Sequence, residues 1–570
     1  MKRTHATHPL VALMRRRLGE GACDRREFLR TVTLLGVGSG AAYAMAGRIL
    51  GEGFVDPAAA EPLGQPVEGG TLRCSMSVQE MTDPALFDWT EKSNVARQIV
   101  EYLTMTGPDN VTRPHLAESW EVSDDLKTWT LHLRQDVKWH NGDAFDVEDV
   151  LFNFRRWLDP KTGSSNQGLF IGLTEEYETG ETDADGKPKT GRRMREGALE
   201  RVDDHTLRLH FDQPVLSVPE NLYSYPCAIV HRSFEETGAD LSKNPLGTGP
   251  FTLAEFEIGR KAVLRRVPDF AYWGPKVFLD EIVYIDHGVA SAAQLAAYAS
   301  GQVDMTYDLD VSSLPMAESL PKTMILEAVT AQTACVRMRV DAEPFSDLRV
   351  RQAIQACVDV DAYPRLIYGG RAAYGEHHHV APIHPEYFKL EKPVQDHEKA
   401  KALLAEAGHG DGLRLSVDCG NTTGPWQQQA LEILKEQVAP AGIELVINMM
   451  PSEQYWEIWN KTPFGITSWA HRPLGTMTLS LGYRSGVPWN ETGYANPEFD
   501  KALDEAEAIV DPKERSKVMK KVERILQEDA VIVQPIWIPK FFVASPRIKG
   551  LEAHPMQHHE FHGVWIDEAA

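Results

Sequence analysis

The feature that most constrains this fold is a change of hydrophobic period in the first third of the chain. The segment TWTLHLR, residues 128–134, alternates apolar and polar residues as a half-buried strand does. The segment DVEDVLFNFRRWL, residues 146–158, begins with capping aspartates and places Val150, Phe154 and Trp157 on one helical face. Strands and helices are therefore mixed, which predicts an α/β fold rather than a helical bundle or a sandwich.

The same two periods recur along the rest of the chain. Residues 206–211 predict a second alternating strand, and helices are predicted for 349–357, 427–439 and 497–527. Residues 161–197 are rich in Gly, Thr, Asp, Glu and Lys without apolar periodicity, which predicts the longest loop.

Length and charge limit the function classes. A chain of 570 residues with 42% hydrophobic and 25% charged residues can bury a large core and is expected to form two or three domains. The formal net charge is -23, so the protein repels phosphate backbones, and nucleic-acid binding is not expected.

The six cysteines do not form any C-x-x-C pair, so zinc-ribbon and thioredoxin-type chemistry have no support. If Cys23 leaves with a cleaved leader, five remain, and one or two disulfides plus a free thiol would fit an oxidising compartment. The sequence does not give the pairing among these five: Cys74, Cys227, Cys335, Cys357 and Cys419.

The amino terminus has the pattern of an export signal. Arg25 and Arg26 are followed by Phe28 and Leu29, and then by a short stretch rich in Gly and Ala. This order resembles the bacterial twin-arginine signal, and the apolar stretch is shorter than the ~20 residues of a spanning helix. No lipid-attachment cysteine pattern follows, so we expect a periplasmic protein that is not lipid-anchored.

Several separated segments form an ordered set. The most extensive is HLAESWEVSDDLKTWTLHLRQDVKWHNGDAFDVEDVLFNFRRWLDP, residues 115–160. GGTLRCSMSVQEMTDPA precedes it, and VDDHTLRLHFDQP, PLGTGPFTL, PDFAYWG and PFSDLRVRQAIQACVD follow it. The set covers almost the whole chain after the leader. In content and order it resembles the bacterial extracellular solute-binding proteins of family 5, which include oligopeptide-, dipeptide- and nickel-binding proteins.

The resemblance implies a bilobal α/β protein that encloses its ligand between two lobes and carries an extra subdomain inserted in the first lobe. It implies these segments: leader 1–60; first-lobe base 61–106, 231–326 and 534–570; inserted subdomain 107–230; second lobe 327–533. It also implies a monomer without a cofactor that passes a small-molecule or peptide ligand to an inner-membrane ABC permease served by cytoplasmic ATPase subunits.

Carried over residue by residue, the resemblance also gives candidate ligand contacts. Asp88 and Thr90 fall where peptide-binding members line the first lobe. Asn166 falls where oligopeptide binders have an aromatic residue, which implies a different pocket shape. The further candidates are aromatic residues of the second lobe, whose rings offer flat apolar faces: Trp426, Trp469, Tyr483 and Trp489.

One departure from the family pattern bears on the ligand. Peptide-binding relatives have Trp-x-x-Asp where this chain reads SWAHRPLG, and their aspartate pairs with the free amino group of the peptide. Here the position holds Arg472, or His471 with a one-residue slip. Arginine suits a carboxylate or phosphate and repels an ammonium. We therefore expect a ligand that is acidic or amino-blocked, unless Arg472 pairs with a protein carboxylate such as Asp88.

Two histidine-rich segments raise a metal alternative. His377, His378 and His379 are consecutive, with His384 close by, and HHEFH occupies residues 558–562. Neighbouring side chains of an extended segment point to opposite faces, and HHEFH lacks the H-E-x-x-H spacing, so the favoured interpretation is a polar loop without a metal.

The sequence thus predicts a periplasmic peptide-type binding protein rather than an enzyme. We find no G-x-S-x-G, P-loop, dinucleotide-binding or zinc-protease pattern in a suitable context. The alternatives are a nickel- or metal-chelate binder of the same fold and, more remotely, a secreted hydrolase. A receptor that reports ligand occupancy to a sensor would share the fold.

Overall fold

The computed structural model describes residues 65–182 and 188–568, together with residues 9–19, 28–29, 31–32 and 45. The chain forms two compact units, one of residues 1–326 and 541–570 and one of residues 327–540. It passes between them twice, within the strands Met324–Met338 and Ile536–Ala544. The second unit ends at Lys540, and residues 536 and 537 pair with Ala373–Tyr374 of that unit.

The first unit contains a mixed sheet and an antiparallel sheet. In the mixed sheet Thr71–Ser75 lies parallel to both Glu281–Ile285 and Met305–Thr306, and the remaining neighbours are antiparallel. The order of its strands is Phe251–Glu257, Lys261–Arg266, Glu281–Ile285, Thr71–Ser75, Met305–Thr306 and the end of Ile536–Ala544. The antiparallel sheet has the order Ala117–Val122, Thr128–Leu133, Thr206–His210 and Leu199–Asp203.

Shorter elements complete the first unit. Its two-stranded pairs are Thr104–Thr106 with Thr112–Pro114, Thr174–Thr182 with Pro188–Met194, and Ile548–Lys549 with Trp565–Ile566. Its α-helices are Pro9–Gly19, Thr90–Ala96, Val147–Leu158, Asn166–Leu169, Val218–Asn221, Ser291–Ala299 and Leu314–Ser319. Its 3₁₀ turns are Pro84–Leu86, Ile171–Leu173, Tyr225–Cys227 and Val311–Ser313.

The helix predicted at residue 146 forms as its sequence indicates. Asp146 accepts a hydrogen bond from the backbone of Glu148, and Asp149 accepts one from the backbone of Asp146, which closes a capping box. Phe154 and Trp157 are fully buried on the inner face of Val147–Leu158. The tryptophans of the 115–160 block therefore build core rather than surface.

The second unit is built on one sheet with helices around it. Its strand order is Ile536–Ala544, Met324–Met338, Phe464–Trp469, Leu413–Cys419 and Ile443–Met449. In addition, Ala373–Tyr374 pairs with Ile536–Ala544, and Ile532–Val533 pairs with Met324–Met338. Its helices are Leu348–Ala356, Ala362–Tyr368, His397–Glu406, Trp426–Val438, Ser452–Ile458, Gly475–Gly482, Pro497–Glu507 and Pro512–Asp529, with the 3₁₀ turn Ala439–Ala441.

Two of the predicted elements are wrong in extent. The long helix of 497–527 is two helices, because Asp511 caps a second one that begins with Pro512. The expected loop of 161–197 contains the hairpin Thr174–Thr182 with Pro188–Met194. Charged residues pair across that hairpin, as Glu175 does with Arg193 at 2.9 Å, so it lacks the apolar alternation that would have revealed it.

The suggested disulfides are absent from the described residues. Cys74, Cys227, Cys335, Cys357 and Cys419 are all buried free thiols. Cys23 lies outside the residues that the structure describes.

Candidate functional site

The candidate residue Trp469 ends the strand Phe464–Trp469 of the second unit. Its side chain is 5% exposed, and its indole N–H donates to Oε1 of Glu491 at 2.8 Å. The other oxygen of Glu491 accepts from Nε of Arg337 at 3.1 Å, and Arg337 also donates to the carbonyls of Trp459 and Thr462. Burial raises the pKa of Glu491 against the opposing pull of Arg337.

His379 packs against Trp469, and Tyr483 contacts His379. The hydroxyl of Tyr483 lies 2.8 Å from Nδ1 of His379, and the His379 ring meets Trp469 edge-on with ring centres 5.5 Å apart. Burial lowers the pKa of His379 to about 3, and the nearby positive charge of Arg472 acts in the same direction. The imidazole is therefore neutral at physiological pH.

The segment that departs from the family pattern follows directly. His471 is 5% exposed, and its Nδ1 accepts from the backbone N–H of Ala331 at 2.9 Å. Arg472 is half-buried, and its carbonyl oxygen lies 3.1 Å from Nε2 of His384. One ring nitrogen of His471 is thus occupied by a backbone hydrogen bond, while Arg472 supplies a positive charge close to His379.

The remaining aromatic candidates, Trp489 and Trp426, differ in exposure and in their contacts. Trp489 is 44% exposed and lies 6.1 Å from Trp469, centre to centre. Trp426 is 7% exposed at the start of Trp426–Val438, where its indole N–H donates to Thr423 at 3.0 Å. Trp489 thus contacts Trp469, and Tyr483 is linked to Trp469 through His379. Trp426 instead bonds to the residues just before its own helix.

In the first unit, Asp88 and Thr90 flank the start of the short helix Thr90–Ala96. The carboxylate of Asp88 is 65% exposed and lies 2.8 Å from Nζ of Lys92, one turn along the helix. Such an exposed ion pair contributes little to stability and leaves the carboxylate accessible. Asp88 therefore has a partner within its own unit.

Asn166 has an interior position. It is fully buried; its amide donates to the carbonyl of Pro226 at 2.8 Å, and its amide oxygen accepts from the thiol of Cys227. Both polar groups of the side chain thus bond within the first unit, joining the segment after Val147–Leu158 to the turn at Tyr225–Cys227.

The histidine triplet lies in a loop, as expected, but the loop is buried rather than solvated. His377, His378 and His379 form a bend outside the helices and strands and are each at most 1% exposed, and His384 is 3% exposed. Nε2 of His378 lies 3.6 Å from a carboxylate oxygen of Glu376. Among the described residues, no group of three His, Cys, Asp or Glu side chains has a metal-binding arrangement.

Sequence reasoning also missed residues that shape this site. Arg337 and Glu491 are separated by 154 positions and carry no recognisable motif. Trp459, just after the helix Ser452–Ile458, lies beside Trp489, and Trp456 within that helix lies beside Trp459. The one available signal was the density of tryptophans between residues 456 and 489.

Comparisons with known proteins agree with this organisation. The family model for the middle region of bacterial extracellular solute-binding proteins, family 5, matches residues 111–510. Heme-binding protein A of Haemophilus influenzae is 27% identical over 80% of this chain and 84% of its own length. The periplasmic oligopeptide-binding protein OppA of the same organism is 27% identical over 84% of this chain and 90% of its own.

A solved structure shows the same fold. The periplasmic binding protein DppA from Helicobacter pylori, in complex with the peptide STSA, matches with a TM-score of 0.72 at 23% identity, over 88% of this chain and 99% of its own. The predicted α/β class is thereby confirmed. Within the described residues, every helix is too short or too polar to cross a bilayer.

The family match covers well over half of the chain and confirms the resemblance found in the sequence. The family consists of solute-binding proteins and not of enzymes. This chain belongs to family 5 of the bacterial extracellular solute-binding proteins.

Proposed function

We propose that this protein captures a peptide or peptide-like solute outside the cytoplasmic membrane and delivers it to an ABC importer. Relatives named for oligopeptide and di/tripeptide binding support this class of ligand. A solved structure of the same fold carries a bound peptide. The candidate contacts in this proposal are Asp88, Thr90, Trp469, His471, Arg472, Tyr483 and Trp489, with Asn166 and Trp426 as supports of the local fold.

The observation that carries the ligand proposal is the charge that follows Trp469. A half-buried Arg472 stands where the resemblance leads us to expect an aspartate, and His471 beside it bonds to the backbone of Ala331. A free ammonium at this position would face a guanidinium in a poorly solvated site, which costs free energy. An acidic group, or an acetylated amine, removes that cost, and a carboxylate is attracted by the same positive charge.

The remaining parts of the proposal follow the family. The protein acts as a monomer without a cofactor, and its partners are a membrane permease and the ATPase subunits of the importer. Export uses the twin-arginine pattern. Arg25 and Arg26 lie outside the described residues, whereas Phe28 and Leu29 are described and buried.

Thermal unfolding of the protein with panels of acetylated peptides, free-amino peptides and nickel chelates tests this proposal. A specific ligand at one hundred times its Kd stabilises the folded state by about 2.7 kcal/mol, which raises the unfolding midpoint measurably. We expect acetylated or acidic peptides to raise it. Stabilisation by nickel chelates alone would replace the proposal with the metal-chelate alternative, and chemical conversion of a peptide would indicate a hydrolase.

A further inference from the structure

Four tryptophans form a continuous row on the second unit. The ring centres of Trp456 and Trp459 are 6.0 Å apart, those of Trp459 and Trp489 are 6.4 Å apart, and those of Trp489 and Trp469 are 6.1 Å apart. All three pairs meet at steep angles of 68° to 86°. These spacings lie within the range of attractive edge-to-face contacts. We call these four residues the tryptophan row.

Two members of the row are open to solvent. Trp456 at one end is 38% exposed and Trp489 is 44% exposed, whereas Trp469 at the other end is 5% exposed. Exposed large aromatic side chains that belong to one cluster commonly mark a binding surface. The row therefore offers indole surface to a ligand at Trp456 and at Trp489.

The row is held in place by a single buried ion pair. Arg337 is fully buried, and it donates both to Glu491 and to the carbonyl of Trp459. Glu491 in turn accepts from the indole of Trp469 and lies two residues from Trp489. A buried ion pair is a weak source of stability compared with apolar packing of the same volume. It does fix geometry, and a rigid aromatic surface binds at lower entropic cost.

The buried end of the row adjoins the candidate ligand contacts. Trp469 meets the ring of His379 edge-on and stands three positions before Arg472 in the sequence. The row therefore leads from exposed Trp456 and Trp489 to the segment that carries the positive charge of Arg472.

We propose that the tryptophan row is a subsite for an aromatic ring carried by the solute, so that the preferred ligand combines an aromatic side chain with an acidic or blocked end. This inference rests on the proposed peptide-type function and adds the class of side chain that is selected. Trp489 and Trp456 contact the ring, and Arg337 and Glu491 act as positioning residues.

The test uses the full-length protein and two kinds of probe. Isothermal titration calorimetry compares acetylated tripeptides that differ only in a central Trp, Phe, Leu or Ala. Saturation-transfer NMR with free indole reports on the row without a peptide. Both are repeated for Trp489→Ala, Trp456→Ala and Trp489→Phe, with Leu366→Ala as control, because Leu366 is an exposed apolar residue of the same unit outside the row.

We expect the Trp and Phe peptides to bind about tenfold more tightly than the Ala peptide. Trp489→Ala and Trp456→Ala should reduce this preference and weaken the indole signal, while Trp489→Phe and Leu366→Ala keep both. Equal binding of all four peptides, with no indole signal that depends on the row, would overturn the subsite and leave the peptide function standing. An indole signal that depends on the row, without binding of any peptide, would support the subsite and overturn the peptide function. If neither probe binds, both proposals are wrong.

Discussion

The indole N–H of Trp469 donates to Oε1 of Glu491 at 2.8 Å, although the two residues are 22 positions apart and both are almost fully buried. The second oxygen of Glu491 accepts from Arg337. One carboxylate therefore neutralises a buried guanidinium and orients a candidate ligand contact at the same time. Loss of Glu491 should consequently affect both stability and binding.

We expect Glu491→Ala to lower the free energy of unfolding by about 3–5 kcal/mol, because Arg337 would keep a buried charge without a counter-charge. Urea denaturation monitored by tryptophan fluorescence measures this. The matched control is Glu505→Ala, which removes an exposed partner of Lys501 and should change the free energy by no more than about 0.5 kcal/mol. A loss below about 1 kcal/mol for Glu491→Ala would contradict the assigned role of the ion pair.

The turn at Gly247 should not tolerate a side chain. A Cβ atom at this position would lie 1.8 Å from the carbonyl oxygen of Ile99, a backbone atom that cannot move aside alone. We expect Gly247→Ala to destabilise the protein by about 1–3 kcal/mol or more, as overpacking does. Gly168→Ala is the control, since a Cβ there meets no atom within 4 Å. Equal unfolding midpoints for the two variants would show that the turn is looser than described.

His554 should make stability depend on pH. Burial lowers its pKa to about 4, its Nδ1 accepts from the backbone of Met556, and its Nε2 lies 2.8 Å from the carbonyl of Thr106. The folded state keeps the imidazole neutral while the unfolded state binds a proton near pH 6.5, so stability falls as the pH decreases from 6.5 towards 4.

Replacement of His554 by Asn should reduce that slope by up to about 1.4 kcal/mol per pH unit near pH 5. Free energies of unfolding from urea titrations between pH 4.5 and 7 (about 0.5 unit apart) give the slope. Val564→Ala, a buried substitution without a titrating group, should lower stability at every pH and keep the wild-type slope. An unchanged slope in the Asn variant would mean that His554 is not held neutral.

The five described thiols should neither cross-link nor react in the folded protein. Burial raises the pKa of each of them, most strongly for Cys74, Cys227 and Cys335. A reducing agent should therefore leave the unfolding midpoint unchanged, whereas a native disulfide would contribute about 2–4 kcal/mol. Peptide mass mapping should find these cysteines labelled by a thiol reagent only after denaturation. A midpoint that falls on reduction would contradict the free-thiol state.

Local patterns in the sequence were sufficient for the α/β class and for several elements. The capping box at Asp146 and the alternation in Thr128–Leu133 depend on neighbours within a few residues, and both form as predicted. The break before Pro512 was also readable, because Asp-Pro is a regular helix start. Treating the whole of 497–527 as one periodic stretch ignored that signal.

The site could be predicted only in part, because its geometry depends on residues distant in sequence. Trp469, Tyr483 and Trp489 were predicted as ligand contacts; Trp489 lies against Trp469, and His379 links Tyr483 to Trp469. The buried state of His377 to His379 was not foreseen, because it depends on residues distant in sequence, such as Gln534, whose backbone N–H donates to Nδ1 of His377 at 2.9 Å. The role of Arg337 and Glu491 was likewise hidden, because it depends on their contact across 154 positions of the sequence.

We expect a peptide-type ligand to meet Arg472 rather than a carboxylate. The most direct measurement is calorimetric titration of one acidic peptide, with its amino group either free or acetylated, into the wild type and into Arg472→Ala. We predict that the acetylated form binds at least about tenfold more tightly to the wild type, and that Arg472→Ala weakens its binding and abolishes the difference. Equal affinities for both forms in both proteins would contradict the account and show that Arg472 does not meet the ligand.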